Sequence, residues 1–218
     1  MILCIQLEKI TEYLKTLAPL IDRYKAGDYG FTVKAIDWLE ATEKLMSELR
    51  LPEGAELSAL RAQILKAGDL AQDDEGKRSR SAIRRACSAA AADALQRAEQ
   101  ILRHRQGAAE DKLQHFEDKL CEAVTAAVLV DAVPTPPTTP RTLWLQQAWT
   151  ALSQHQSIRP TTVYLATSLF SADRMFLLDR VMNRLFEKEL SVHQSAAPTS
   201  PDLVSRSAQN KLPPSNKH

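Results

Sequence analysis

Glycine is scarce in this 218-residue chain, six in all, and aromatic residues make up only 6% of it. Most of the glycines fall outside the apolar repeats, so those repeats run on unbroken. Cysteine is equally sparse. Cys4, Cys87 and Cys121 are an odd number without metal-like spacing, which gives neither a disulfide framework nor a zinc site. Cys87 and Cys121 stand among small helix-forming residues, where a free thiol behaves as a small apolar side chain. Free thiols of this kind point to a reducing compartment, and the expected location is cytoplasmic.

Long hydrophobic runs are missing too. No segment approaches the roughly 18 apolar residues of a membrane span. The opening Met-Ile-Leu-Cys-Ile is too short for a signal-peptide core, and Cys4 has no lipoprotein leader before it. The chain is therefore expected to be neither secreted nor membrane-spanning, and no membrane partner is expected. Recognisable catalytic motifs are also lacking: there is no His-Glu-x-x-His, no glycine-rich phosphate loop, no nucleophile elbow and no Cys-x-x-Cys. His115, His155, His193 and His218 have no carboxylate or cysteine at ligand spacing. Asp73-Asp-Glu75 lacks the alternating oxygen ligands of a calcium loop. No catalytic residue, metal or cofactor is assigned on these grounds.

Alanine, leucine, glutamate and arginine dominate what is there, and these are strong helix formers. With 44% hydrophobic and 25% charged residues the chain can bury an ordinary core. The fold class is all-α: a helical bundle around one long, alanine-rich, coiled-coil-like helix at about 81–130, with no significant sheet. Its apolar positions are Ala91, Leu95, Ala98 and Leu102, then Ala109, Leu113, Phe116, Leu120, Ala123 and Ala127. Steps of three and four continue across Arg105–Gly107, with Gln106 filling the seam. A hairpin at Gly107 is the competing arrangement. Arg103, His104 and Arg105 would suit a helix C-terminus, and Glu110 and Asp111 would open the next helix. The unbroken stripe favours one helix, because an internal glycine costs only about 1 kcal/mol.

Before the long helix, Ile2, Ile5, Ile10, Leu14, Leu17, Ile21 and Tyr24 mark a first amphipathic helix that Pro19 should kink or shorten. Thr32 looks like the N-cap of a second helix, bearing Ile36, Trp38, Leu39, Leu45, Met46 and Leu49. Pro52 and Glu53 suit the first turn of a third, with Leu57, Leu60, Ile64 and Ala67 inward. Residues 72–80 read as a polar exposed loop. Beyond the long helix, residues 131–140 form a proline-rich linker, and 141–190 a C-terminal helical module packing on the 1–130 bundle. The module carries Leu145, Ala148, Trp149 and Leu152, then a short element after Pro160 that also fits a strand. A last helix capped by Ser171 places Phe176, Leu178, Val181, Met182, Leu185 and Phe186 inward. Residues 191–218 have little to bury and read as a disordered tail.

The net charge of +1 gives no global attraction to nucleic acid or an acidic membrane, but its distribution is uneven. Residues 76–106 carry 8 basic and 2 acidic groups, whereas residues 1–75 carry 9 and 14, and residues 107–131 carry 2 and 6. Within the basic stretch, Lys77, Arg78, Arg80, Arg84 and Arg85 gather at the start of the long helix, where free N–H groups also favour anions. These five residues are candidates for anion or nucleic-acid binding. They equally suit pairing with Asp73, Asp74, Glu75 or the acidic first helices. The segment contains no aromatic residue to stack on bases, which counts against single-strand binding. Trp144 and Trp149 stand out in an aromatic-poor chain. Five residues apart, they lie on different sides of a helix, which makes them candidates for core, for partner contact or for docking the C-terminal module.

Arg97 and His104 stand at an Arg-x6-His spacing. It resembles the Arg-x4-6-His motif of HEPN ribonucleases, which are also helical bundles. The resemblance covers two residues and implies an RNA-cleaving pair set in a cleft, usually across a dimer. Seven residues along a helix make about two turns, a spacing that a solvated helix face also carries. Three functional readings follow. The first is a non-catalytic helical adaptor, scaffold or assembly subunit acting through protein–protein contacts or self-association. The second is a nucleic-acid-associated regulator using 77–85, and the third a HEPN-like ribonuclease.

Overall fold

The computed structural model describes residues 2–71, 79–133 and 140–195. Among the described residues every regular element is a helix. Lys77, Arg78 and the acidic run 73–75 lie outside them, as do most of the proline-rich linker (134–139) and the tail from 196. Two compact units are distinguished, Met1–Met182 and Asn183–His218.

The first amphipathic stretch is two helices, α1 (Leu3–Lys15) and α2 (Leu17–Lys25), separated at Thr16. Pro19 explains the break. Its ring would meet the carbonyl of Lys15, four residues back, if the helix ran through. Restarting at Leu17 puts Pro19 in the first turn of α2, where its missing N–H costs nothing. Ile10, Leu17 and Leu20 are buried, whereas Ile5, Ile21 and Tyr24 are exposed. The apolar face is therefore narrower than its sequence spacing suggests.

Helix α3 (Phe31–Glu48) starts one residue before the expected cap at Thr32. The turn ahead of it closes on Asp28, whose carboxylate accepts the Gly30 N–H at 2.8 Å. The helix ends at Arg50, which adopts a left-handed φ of 53° while the Leu51 N–H returns to the Met46 carbonyl at 2.8 Å. Helix α4 (Gly54–Leu70) buries Leu57, Leu60 and Ile64. Near its end a Cβ on Gly68 would come within 2.8 Å of Cys87 Sγ, so the missing side chain lets α4 lie close to the next helix.

That next helix, α5 (Arg80–Leu129), runs unbroken for 50 residues, roughly 75 Å at about 1.5 Å per residue. Ser79 caps it by accepting the Ala82 N–H at 3.1 Å. Asp131, in the left-handed region at φ 54°, ends it as the Ala132 N–H reaches the Ala127 carbonyl. Gly107 lies inside the helix without a positive φ, and a Cβ there would meet nothing within 4 Å. Ala91, Ala94, Leu95, Ala98 and Leu102 join the core made with α1–α4. Across the seam, the Gln106 side-chain amide donates to Thr11 Oγ1 at 3.3 Å, tying α5 to α1.

The second half of α5 buries Ala109, Leu113, Leu120, Ala123, Val124 and Ala127. Two further helices pack on α5, α6 (Arg141–Gln154) and α7 (Arg159–Ser168). Pro160 in the first turn makes the stretch after it helix rather than strand. Helix α8 (Ser171–Ser195) extends past the expected start of the tail, and its first proline breaker is Pro198. Leu177, Leu178, Val181 and Met182 are buried, whereas Phe176, expected inward, is 46% exposed. Glu117 lies on the buried side of α5 at 1% exposure, within 3.2 Å of Arg180.

The environment of Gly107 predicts the effect of Gly107→Ala. An added methyl has room, and alanine loses less backbone freedom in a helix, so the variant should be more stable by about 0.5–1 kcal/mol. Thermal or urea unfolding measures this; a loss of stability would mean a left-handed or turning residue at that position.

Candidate functional site

The basic cluster divides. Lys77 and Arg78 lie outside the described residues, and Arg80, Arg84 and Arg85 are exposed on the first turns of α5. Arg80 and Arg84 are four residues apart and share a face, which Ser88 continues one turn on. Seven other arginines have acidic partners: Arg23, Arg61, Arg97, Arg103, Arg105, Arg141 and Arg180 each meet a carboxylate. Among the described residues no carboxylate pairs with Arg80, Arg84 or Arg85. Three like charges so close repel one another on a helix surface, and no acid among the described residues offsets that cost.

The turn between α2 and α3 closes over this cluster. Tyr29, 79% exposed, places its ring under the Arg84 guanidinium, whose central carbon is 4.2 Å from the ring centroid. A cavity of about 180 Å³ opens there, lined among others by Tyr29, Thr32, Arg84, Arg85 and Ser88. Asp28 is the carboxylate of this corner. Its Oδ1 accepts the Gly30 N–H and its Oδ2 accepts from Arg23 at 2.7 Å. The Gly30 bond and then Arg23 hold its carboxyl below the ordinary range, so it stays ionised but spoken for by its own donors. The stretch 77–85 contains no aromatic residue, and the fold supplies one, Tyr29, from 55 residues before Arg84. The one local signal for Tyr29 is its position in the Gly27-Asp-Tyr-Gly30 turn, which exposes whatever side chain it carries.

Trp144 is buried at 2% exposure, and Trp149 is half-buried. Arg141 covers the Trp144 ring at 5.7 Å and is hydrogen-bonded to Asp179 of α8. Arg174 of α8 covers Trp149 at 5.1 Å. Both tryptophans thus meet arginines within the chain. Arg97 and His104 are not gathered into one place. They stand two turns apart on the exposed side of α5, with Arg97 held by Asp93 at 3.0 Å.

Two further surfaces come from the fold. A groove of about 590 Å³ runs between α1, α5 and α8, with Ile5, Glu8, Leu113, Phe176 and Arg180 among its walls. An open apolar trough of about 560 Å³ follows the last turns of α5 over Cys121, Thr125, Ala126 and Leu129. Among the described residues no group of three His, Cys, Asp or Glu side chains is arranged to hold a metal. No helix there is long and apolar enough to cross a membrane. The chain matches no protein-family model, no curated protein and no solved structure, so the chemistry of these surfaces rests on their geometry.

A buried carboxylate with no counterpart in local sequence patterns organises the α1/α8 end of the groove. Asp173, fully buried in the first turn of α8, accepts the N–H groups of Leu3 and Cys4 at 2.9 and 3.0 Å. It caps α1, whose preceding residue Ile2 offers no capping side chain. The same carboxylate faces the Cys4 thiol. Burial first, then the hydrogen bond and negative charge of Asp173, push that thiol from the ordinary 9.0 up to about 12. A neutral thiol is a poor nucleophile. Its raised value also favours the folded state below pH 9, an advantage lost as pH climbs from 9 toward 12.

Asp173→Ala should therefore lower stability by about 2 kcal/mol, the loss of two charge-assisted helix-capping bonds. Iodoacetamide at pH 8 should label native Cys4 slowly in the wild type and faster in the folded variant. Equal labelling rates and equal stability would show that Asp173 does neither job.

Proposed function

We propose that this chain is a non-catalytic helical adaptor or assembly subunit, acting through protein–protein contacts made along its long helix. The observation that carries this reading is the uncovered apolar end of α5. Leu129 is 82% exposed, Val128 and Val130 beside it are also exposed, and the open trough over Cys121, Thr125 and Ala126 leads up to them. Contiguous apolar surface rimmed by charge, here Asp118 and Glu122, is characteristic of interaction sites. Small side chains along the trough would admit a second helix at close range, in coiled-coil fashion. The three free cysteines are consistent with a reducing, cytoplasmic setting for such an assembly. The partner is a protein, or a second copy of this chain.

Leu129→Glu tests the reading, because Leu129 is too exposed for its replacement to disturb the core. Light scattering and affinity capture from the native cell, run on both proteins, should show an assembly with the wild type that the variant loses. A wild type that is strictly monomeric and recovers the same proteins as Leu129→Glu would contradict it.

A further inference from the structure

We infer that the corner between the α2–α3 turn and the first turns of α5 binds a nucleotide unit of single-stranded nucleic acid, its phosphate held by Arg84, Arg85 and Ser88 and its base stacked on Tyr29. This site lies on the first turns of α5, whereas the apolar trough follows its last turns, and it does not depend on the adaptor reading. Four observations meet here. Arg80, Arg84 and Arg85 have no carboxylate partner among the described residues, whereas seven other arginines do. Arg84 and Arg85 line a cavity that Ser88 and Thr32 also line. Tyr29 is stacked under Arg84 yet 79% exposed, so the guanidinium orients the ring while leaving aromatic surface open to solvent. The carboxylate of the corner, Asp28, is already occupied by Arg23 and the Gly30 N–H.

The size of the cavity decides how a ligand would sit. At about 180 Å³ it is smaller than the roughly 300–1,000 Å³ of pockets that enclose whole drug-sized molecules. It accepts a phosphate group and leaves the attached base outside, against the open part of the Tyr29 ring. An arginine-lined phosphate seat beside an exposed aromatic is the combination that single-strand binders use, since every base has a face to stack. Arg80 selects a strand over a free nucleotide. It stands one helical turn, about 5.4 Å, beyond Arg84 on the same face, where a second phosphate of a continuing backbone would be met. Stacking on Tyr29 engages the face of a base and not its edge, so binding should tolerate most sequences.

The test is fluorescence anisotropy of the full chain with a labelled oligo-dT or oligo-U, with uridine monophosphate and poly-glutamate as competitors. The wild type should bind, with affinity falling as salt rises from about 50 to 200 mM. Tyr29→Ala should weaken binding about tenfold or more and Tyr29→Phe should keep it, as stacking requires. Arg85→Gln should weaken it and reduce the salt slope by about one. Thermal melts of the variants should match the wild type, since both side chains are exposed. Competition by uridine monophosphate as effective per phosphate as the oligonucleotide would overturn the assignment to a strand, because Arg80 would then add nothing beyond one nucleotide. No binding at low salt would overturn the proposal. So would an unchanged affinity in Tyr29→Ala, or competition by poly-glutamate equal to that of nucleic acid, because either reduces the corner to a generic basic surface.

Discussion

The fold depends on one apolar stripe remaining on one face of α5 through the seam at Gly107. Before the seam, Ala91, Ala94 and Ala98 carry so little bulk that neighbouring helices come close, and Gly68 of α4 extends that close approach at Cys87. After it, Leu113, Leu120 and Val124 carry the burial. Close packing makes each half sensitive to lost or added volume, but neither half would be positioned against the other without a helix spanning both. Gln106, bonded to Thr11, and Asp173, capping α1 from α8, hold α1 along that span.

A spine of this kind separates chemistry along its length. Its first turns carry arginines that repel one another and meet an exposed tyrosine; its last turns carry Leu129 and Val130 uncovered. A helix of about 75 Å keeps two such surfaces too far apart to compete for one small ligand. An adaptor that joins a nucleic-acid strand to a protein assembly is the arrangement in which both proposals hold together. Its buried carboxylates tie elements together: Glu117 meets Arg180, and Asp173 accepts the first N–H groups of α1.

What could be read from the sequence was what local periodicity encodes. The α5 stripe, the break caused by Pro19, the first-turn roles of Pro160 and the buried Leu57, Leu60 and Ile64 all follow from spacing and backbone chemistry. Faces shared among several helices were less legible. Phe176, Ile5 and Tyr24 fit an apolar repeat and yet lie exposed, because the repeat does not say how wide a face the neighbours cover. The candidate site was half visible. Arg80, Arg84 and Arg85 form a run on one helix, but Tyr29 reaches them only through the turn that returns the chain to α5. Asp173, 169 residues from Cys4, was invisible for the same reason.

The continuity of α5 is the claim on which both surfaces rest, and a spin-label distance tests it most directly. Ala89 and Thr125 are exposed and lie 18 residues on either side of Gly107. Labels at these positions, with Cys4, Cys87 and Cys121 replaced, should give a single distance near 54 Å at about 1.5 Å per residue. A helical hairpin turning at Gly107 would bring the two backbones to about 10 Å, and a short distance would contradict the account.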